Sequence, residues 1–211
     1  MGTRNPFAPA EFYHLYNRGT EKRKIFLVKN DYERFVALLY LANGTKPLRL
    51  ENLRRNEQGR TLLERVLEEE RGNPLVSVAA YCLMPNHFHV LVKQNVDAGI
   101  SRFMQKLSTA YTMYFNTRYK RSGTLFQGKF KSEHANNDRY LKYLIAYIHL
   151  NPKEISIPER YAYSSYADFV GEKRPQAHIL NRSVLPEYFR TPAEFRGEIE
   201  EWLKYDEKYP E

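Results

Sequence analysis

Residues 76–94 read VSVAAYCLMPNHFHVLVKQ, and their centre, Met84-Pro85-Asn86-His87-Phe88-His89-Val90-Leu91-Val92, places two of the chain's six histidines inside an aliphatic run. VSVAAYCLM and HFHVLVKQ are both rich in strand-forming residues, and Pro85-Asn86 between them is a turn signal, so the pair reads as an antiparallel hairpin. Successive side chains of a strand point to opposite faces. His87 and His89 therefore share one face, while Phe88, Val90 and Val92 turn to the other and into a core. Two imidazoles about 7 Å apart along a strand can converge on one cation. They can equally be hydrogen-bonded groups on a half-exposed face, and the spacing alone leaves both open.

Working outward, FYHLYNRG (residues 12–19) alternates aromatic and polar residues and predicts a strand ending at Gly19. Asn30-Asp31 can cap a helix carrying Phe35, Leu38, Leu39 and Leu41 and ending near Gly44. The charged stretch 46–73 reads as a lid-like insertion between core elements, its second half an exposed helix with a thin apolar stripe. Ile100 to Tyr119 shows helical periodicity in Phe103, Leu107, Tyr111, Tyr114 and Phe115. Ser122-Gly123 ends it, TLFQGKFKSEH follows as a strand containing a glycine, and Asn137-Asp138 caps DRYLKYLIAYIHLN, which Pro152 terminates. The order strand, helix, insertion, strand, strand, helix, strand, helix predicts an α+β, ferredoxin-like antiparallel sheet with two main helices on one face. Residues 1–152 form the expected core. Residues 153–211, ending in the acidic amphipathic FRGEIEEWLKY, form an extension packed on it.

Hydrophobic residues make up 42% of the chain and aromatics 14%, enough for a core. No apolar run is long enough to span a membrane, and MGTRNPFAPAEF lacks the apolar stretch of a secretory leader. The single cysteine, Cys82, excludes an intramolecular disulfide and a cysteine zinc cluster, reads as a small core residue and fits a reducing cytoplasm. The net charge of +8 is uneven: residues 152–211 hold 9 bases and 12 acids, residues 1–151 hold 24 and 13. Between residues 98 and 135, Arg102, Lys106, Arg118, Lys120, Arg121, Lys129 and Lys131 face one acid, Glu133. Such a segment suits a phosphate-backbone partner, though a basic surface with no partner has the same composition.

Two histidines make an incomplete cation site. The helix end AYIHLNP supplies one plausible oxygen, Asn151, and Tyr147 lies four residues earlier on the same helical face. Tyr140, Tyr143 and Tyr147 read equally well as packing aromatics, and Asn151 as an ordinary helix-end residue.

Taken together, YHLYNRGTEKRKIF, YCLMPNHFHVLVK, RSGTLFQGKFKS, YLKYLIAYIHLNP and YSSY resemble, in order and over roughly residues 11–170, the REP-associated tyrosine transposases. These are a single-tyrosine branch of the HUH endonucleases within the IS200-like transposase superfamily. The resemblance implies that His87, His89 and Asn151 hold Mg²⁺ or Mn²⁺, and that Tyr147 is the nucleophile, with Tyr143 in reserve one turn away and Tyr140 behind it. It implies nicking and strand transfer on single-stranded DNA beside a REP-like hairpin, through a 5′-phosphotyrosine and with no nucleotide cofactor. Arg18, Lys22, Arg23 and Lys24 become candidates for reading the hairpin foot. The basic segment Arg102 to Lys131, with Tyr111, Tyr114, Tyr119, Phe126 and Phe130, becomes a track for backbone and stacked bases, about half of these aromatics being expected in the core. A nucleoid-associated monomer is expected in preference to a homodimer. The competing expectations are a hairpin-binding regulator without catalysis and an RNA-binding ferredoxin-like domain. The 46–73 insertion and the acidic tail lie outside the resemblance.

Overall fold

The computed structural model describes residues 7–48 and 59–208, with side chains to residue 204. Four strands, β1 (Phe12–Arg18), β2 (Val76–Met84), β3 (His87–Gln94) and β4 (Lys131–His134), form one antiparallel sheet in the order β2-β3-β1-β4. Among the described residues the α-helices are α1 (Lys29–Leu41), α2 (Leu62–Val66), α3 (Gly99–Arg118), α4 (Asp138–Leu150), α5 (Tyr166–Phe169) and α6 (Pro192–Lys208). The fold is the expected α+β, ferredoxin-like one. None of the described helices is long and apolar enough to cross a membrane.

Strand alternation divides the core in two. Leu15, Val78, Tyr81, Leu83, Phe88, Val90 and Val92 pack with α1 and α3 on one side. Ala80, Cys82, Met84 and Leu91 face the other side, where Leu141, Leu144, Ile145 and Ile148 of α4 cover them together with Phe195 and Ile199 of α6. The two main helices therefore share a face as predicted, while α4 crosses the opposite one. Cys82 is the buried core residue it was expected to be.

Two local expectations are corrected, and a third, the Asn30-Asp31 cap, is narrowed to one residue. Of TLFQGKFKSEH only Lys131–His134 is strand; upstream a single bridge joins Phe126 to Gly19, because Gly128 adopts a left-handed φ of 71° that breaks the ladder. The α1 start is fixed by Asp31 rather than by Asn30, its carboxylate accepting from the amides of Leu27 and Val28 at 2.8 and 3.1 Å. The second half of the 46–73 segment is a short helix, α2, with Leu63 and Val66 buried in the α1–α3 core, so it is neither exposed nor near the histidines. Thr61 and Glu64 cap it reciprocally. Residues 49–58 of that segment lie outside the described residues.

The C-terminal extension protects an edge. Leu83 N–H donates to Tyr163 O and Ser165 N–H to Tyr81 O, both at 2.9 Å, so the outer side of β2 is not left as an open row of amides. Arg174 clamps this segment with hydrogen bonds to both Asp168 oxygens and to the carbonyls of Ala162 and Ser164.

Candidate functional site

Residues opposite one another in an antiparallel pair share a face. His87 lies opposite Arg18, His89 opposite Tyr16 and Leu91 opposite His14, while β4 adds Lys131 opposite Tyr16 and Glu133 opposite His14. One end of the face covered by α4 is thus polar, with a histidine pair at its centre. The His87 and His89 rings are 5.0 Å apart and perpendicular.

Helix α4 starts where Asn137 Oδ1 accepts from the Tyr140 amide at 2.8 Å, and it gives way to a 3-10 turn at Asn151–Glu154, where Pro152 has no N–H to continue the ladder. This fixes how far the helix reaches over the sheet. Asn151 Oδ1 lies 3.0 Å from His87 Nε2, and the Tyr147 ring stands edge-on to His89 at 5.5 Å and to His14 at 6.0 Å. Tyr147 is 39% exposed, so its ring lies on the site with one side open to solvent. The other two helix tyrosines are engaged elsewhere. Tyr140 donates its hydroxyl to Glu133 at 2.8 Å, and Tyr143 packs between Tyr140, Tyr147 and Trp202.

Burial pushes all three site imidazoles towards their neutral forms. His14 falls to about 4, with Glu133 pulling the other way. His89 is held well below its ordinary value by burial and then by His14 and His87. His87 is lowered by burial, its Asn151 contact opposing and Arg18 assisting. Neutral rings keep lone pairs for a cation. The Nδ1 of His87 sits 2.7 Å from Asn86 Oδ1 and its Nε2 3.0 Å from Asn151 Oδ1, two acceptors of which a neutral ring donates to only one. With the proton on Nδ1, the Nε2 lone pair and the Asn151 oxygen would both be available to a cation. Among the described residues, no three of the His, Cys, Asp and Glu type gather around a point. A cation held here would draw on His87, His89 and the Asn151 amide.

The predicted DNA-contacting bases fall into two groups. Arg18 borders His87, while Lys22, Arg23 and Lys24 lie on a loop docked on the hairpin turn, where Gly19 N–H donates to Asn86 O and Ile25 N–H to Pro85 O. Gly19 is required there, since a Cβ would collide with the Arg23 carbonyl. Lys129 and Lys131 are exposed on the adjoining segment, Lys131 with its ammonium 6.0 Å over the Tyr16 ring. In contrast, Arg102, Lys106 and Arg118 lie on α3 and Lys120 and Arg121 just after it, on the far side of the sheet from the histidines. Lys106 donates to the Gly44 and Lys46 carbonyls, Arg118 pairs with Asp31 at 3.6 Å, and Arg121 bonds to Asn116.

Some of the aromatics of this segment are core, as expected. Tyr111 and Phe126 are core residues, and the Tyr114 and Tyr119 hydroxyls are bound to Asp31. The residues that sequence reasoning passed over are His14, Tyr16, Asn86 and Glu133. The alternation of FYHLYNR placed His14, Tyr16 and Arg18 on one face, which was the available signal.

Fold and site together define the class: a ferredoxin-like α+β protein with a histidine pair on its sheet and a tyrosine-bearing helix lying across it. Residues 51–151, just under half of the chain, match the model of the family described as IS200-like transposase. A solved structure described as a REP-associated tyrosine transposase bound to a REP hairpin is similar in fold, with a TM-score of 0.55, 11% sequence identity and 88% of each chain covered. The first match bears out the resemblance to transposases and the second bears out the fold. No curated protein matched the chain.

Proposed function

We propose that this protein is a tyrosine transposase that nicks and rejoins single-stranded DNA beside a REP-like hairpin. The observation carrying this reading is that one helix brings Tyr147 against His89 and Asn151 against His87. A bound Mg²⁺ or Mn²⁺, held by His87 Nε2, His89 and Asn151 Oδ1, would supply charge neutralisation at the scissile phosphate. The neutral imidazoles keep their lone pairs, and the Asn86 carbonyl fixes the orientation of the His87 ring. The Tyr147 oxygen forms a bond to phosphorus as the bond to the 3′ oxygen breaks. Solvent on the exposed side of the ring takes the phenolic proton, and the departing 3′ oxygen takes one up. One phosphate ester replaces another, so a 3′ hydroxyl can reverse the step without a nucleotide cofactor. Arg18, Lys22, Arg23, Lys24, Lys129 and Lys131 border this face and suit the hairpin and strand backbone. Tyr147 and both ligand elements come from the same chain, which favours action as a monomer. The site being an open face suits a strand laid across it; the hollow of about 700 Å³ lined by Phe169, Arg182, Phe189 and Arg190 shares no residue with it.

Incubation with a labelled REP-like hairpin oligonucleotide and Mn²⁺ tests the proposal. Wild type is expected to give a denaturant-resistant protein–DNA adduct that Tyr147→Phe does not form and Tyr143→Phe still forms. Hairpin binding with no adduct under any of these conditions would replace the enzyme by a binding-only regulator.

A further inference from the structure

His14 stands behind His89. It is 2% exposed, and its Nε2 lies 2.8 Å from His89 Nδ1 with the rings stacked at 5.0 Å. Its other nitrogen, Nδ1, points at Glu133 Oε2 at 3.8 Å and has no hydrogen-bond partner. Glu133 is itself held from both sides, Tyr16 donating to Oε1 and Tyr140 to Oε2, each at 2.8 Å.

We infer that His14 is a positioning residue for His89, backed by Glu133. It carries its proton on Nδ1, accepts the His89 Nδ1–H at Nε2, and leaves His89 Nε2 with a free lone pair that would serve the proposed cation. This rests on the proposed reading of the site. The argument is one of proton counting. Two neutral rings hold two protons, and the 2.8 Å contact between them contains one. Were that proton on His14 Nε2, His14 Nδ1 would be a buried bare acceptor facing a carboxylate, lone pair against negative charge. With it on His89 Nδ1, the His14 proton occupies Nδ1 and faces the carboxylate instead. The second arrangement leaves His89 Nε2 unprotonated, as a proton shared with Asn86 would leave His87 Nε2. Partners of this kind typically cost about 10- to 100-fold in metal affinity when removed.

The sign of the chain can be reversed by substitution. In Glu133→Gln the new amide can donate to His14 Nδ1, moving the His14 proton to Nε2 and the His89 proton to the ligating nitrogen. In His14→Gln the side-chain carbonyl can still accept from His89 Nδ1, with no need of Glu133.

The test uses the full chain and two readouts. In the metal-free protein, ¹⁵N NMR should show His89 protonated on Nδ1; protonation on Nε2 would overturn the inference whether or not a metal binds. Mn²⁺ titration followed by EPR should show affinity falling about 10- to 100-fold in His14→Leu and in Glu133→Gln. His14→Gln should stay within about threefold of wild type, and adding Glu133→Gln to it should change nothing further. If His87→Ala abolishes Mn²⁺ binding but His14→Leu binds like wild type, the positioning role falls while the metal site stands. If wild type and His87→Ala bind Mn²⁺ alike, the metal site falls and the positioning role with it. Should His14→Leu fail to fold, the His14→Gln pair and the wild-type NMR decide.

Discussion

Asn151 Oδ1 lies 3.0 Å from His87 Nε2 although 64 residues of chain separate them. The contact joins the end of α4 to the start of β3, and with the His87 proton on Nδ1, towards Asn86, both atoms would be acceptors. A charge on residue 151 therefore has a defined effect. Asn151→Asp is expected to tighten Mn²⁺ binding by about tenfold or more through added negative charge, and Asn151→Leu to weaken it by a similar factor. EPR titration measures both. Equal affinity in all three proteins would remove residue 151 from the site.

The division among the bases predicts a division in salt dependence. Lys131 is exposed beside the site, whereas Lys106 is committed to the Gly44 and Lys46 carbonyls. Lys131→Gln should lower the slope of log affinity against log salt for a hairpin oligonucleotide by about 1. Lys106→Gln should leave that slope unchanged and lower stability. Fluorescence anisotropy across a salt series checks the pair, and a slope change in Lys106→Gln alone would invert the assignment of faces.

Tyr111 and Tyr161 are raised well above the ordinary phenol value, chiefly by burial, and donate to the carbonyls of Ile25 and Leu83 at 2.6 and 2.7 Å. In the unfolded chain they ionise near the ordinary value of about 10. Their contribution to stability is therefore fully present below about pH 10 and is lost as pH rises above it. Tyrosinate absorbance should climb in two stages, exposed rings first and buried rings only with cooperative loss of circular dichroism. Full ionisation in a still-folded protein would contradict the packing described.

Asp168 and Arg174 form a buried bidentate pair, their side chains 3% and 14% exposed. Asp168→Asn leaves the guanidinium without its counter-charge and is expected to cost about 3 kcal/mol. Denaturant unfolding measures that loss, and hydrogen exchange should show it first at the amides joining β2 to residues 163–165. A variant as stable as wild type would mean that Arg174 is held by its carbonyl contacts alone.

Alternation in VSVAAYCLMPNHFHVLV and the helical period of residues 100–119 and 138–150 were enough to define the hairpin, the two helices and the α+β class, because near-neighbour side chains must segregate by face. Alternation also put His87 and His89 together. Local pattern failed where backbone conformation is set from a distance: Gly128 ends a predicted strand early, and α2 is buried by contacts that its thin apolar stripe did not announce.

Which residues share a face across different strands is fixed by register, and register is a tertiary quantity. Only the folded sheet set His14 behind His89 and Glu133 behind His14, over sequence distances of 75 and 119 residues. Only the packing of α4 decided that Tyr147 meets the histidines while Tyr140 turns to Glu133 and Tyr143 to Trp202. The sequence by itself determined the elements and the chemistry available to them. The long-range closure of the sheet under α4 decided which of those groups meet, because a side chain's neighbours depend on chain crossings that no local period encodes.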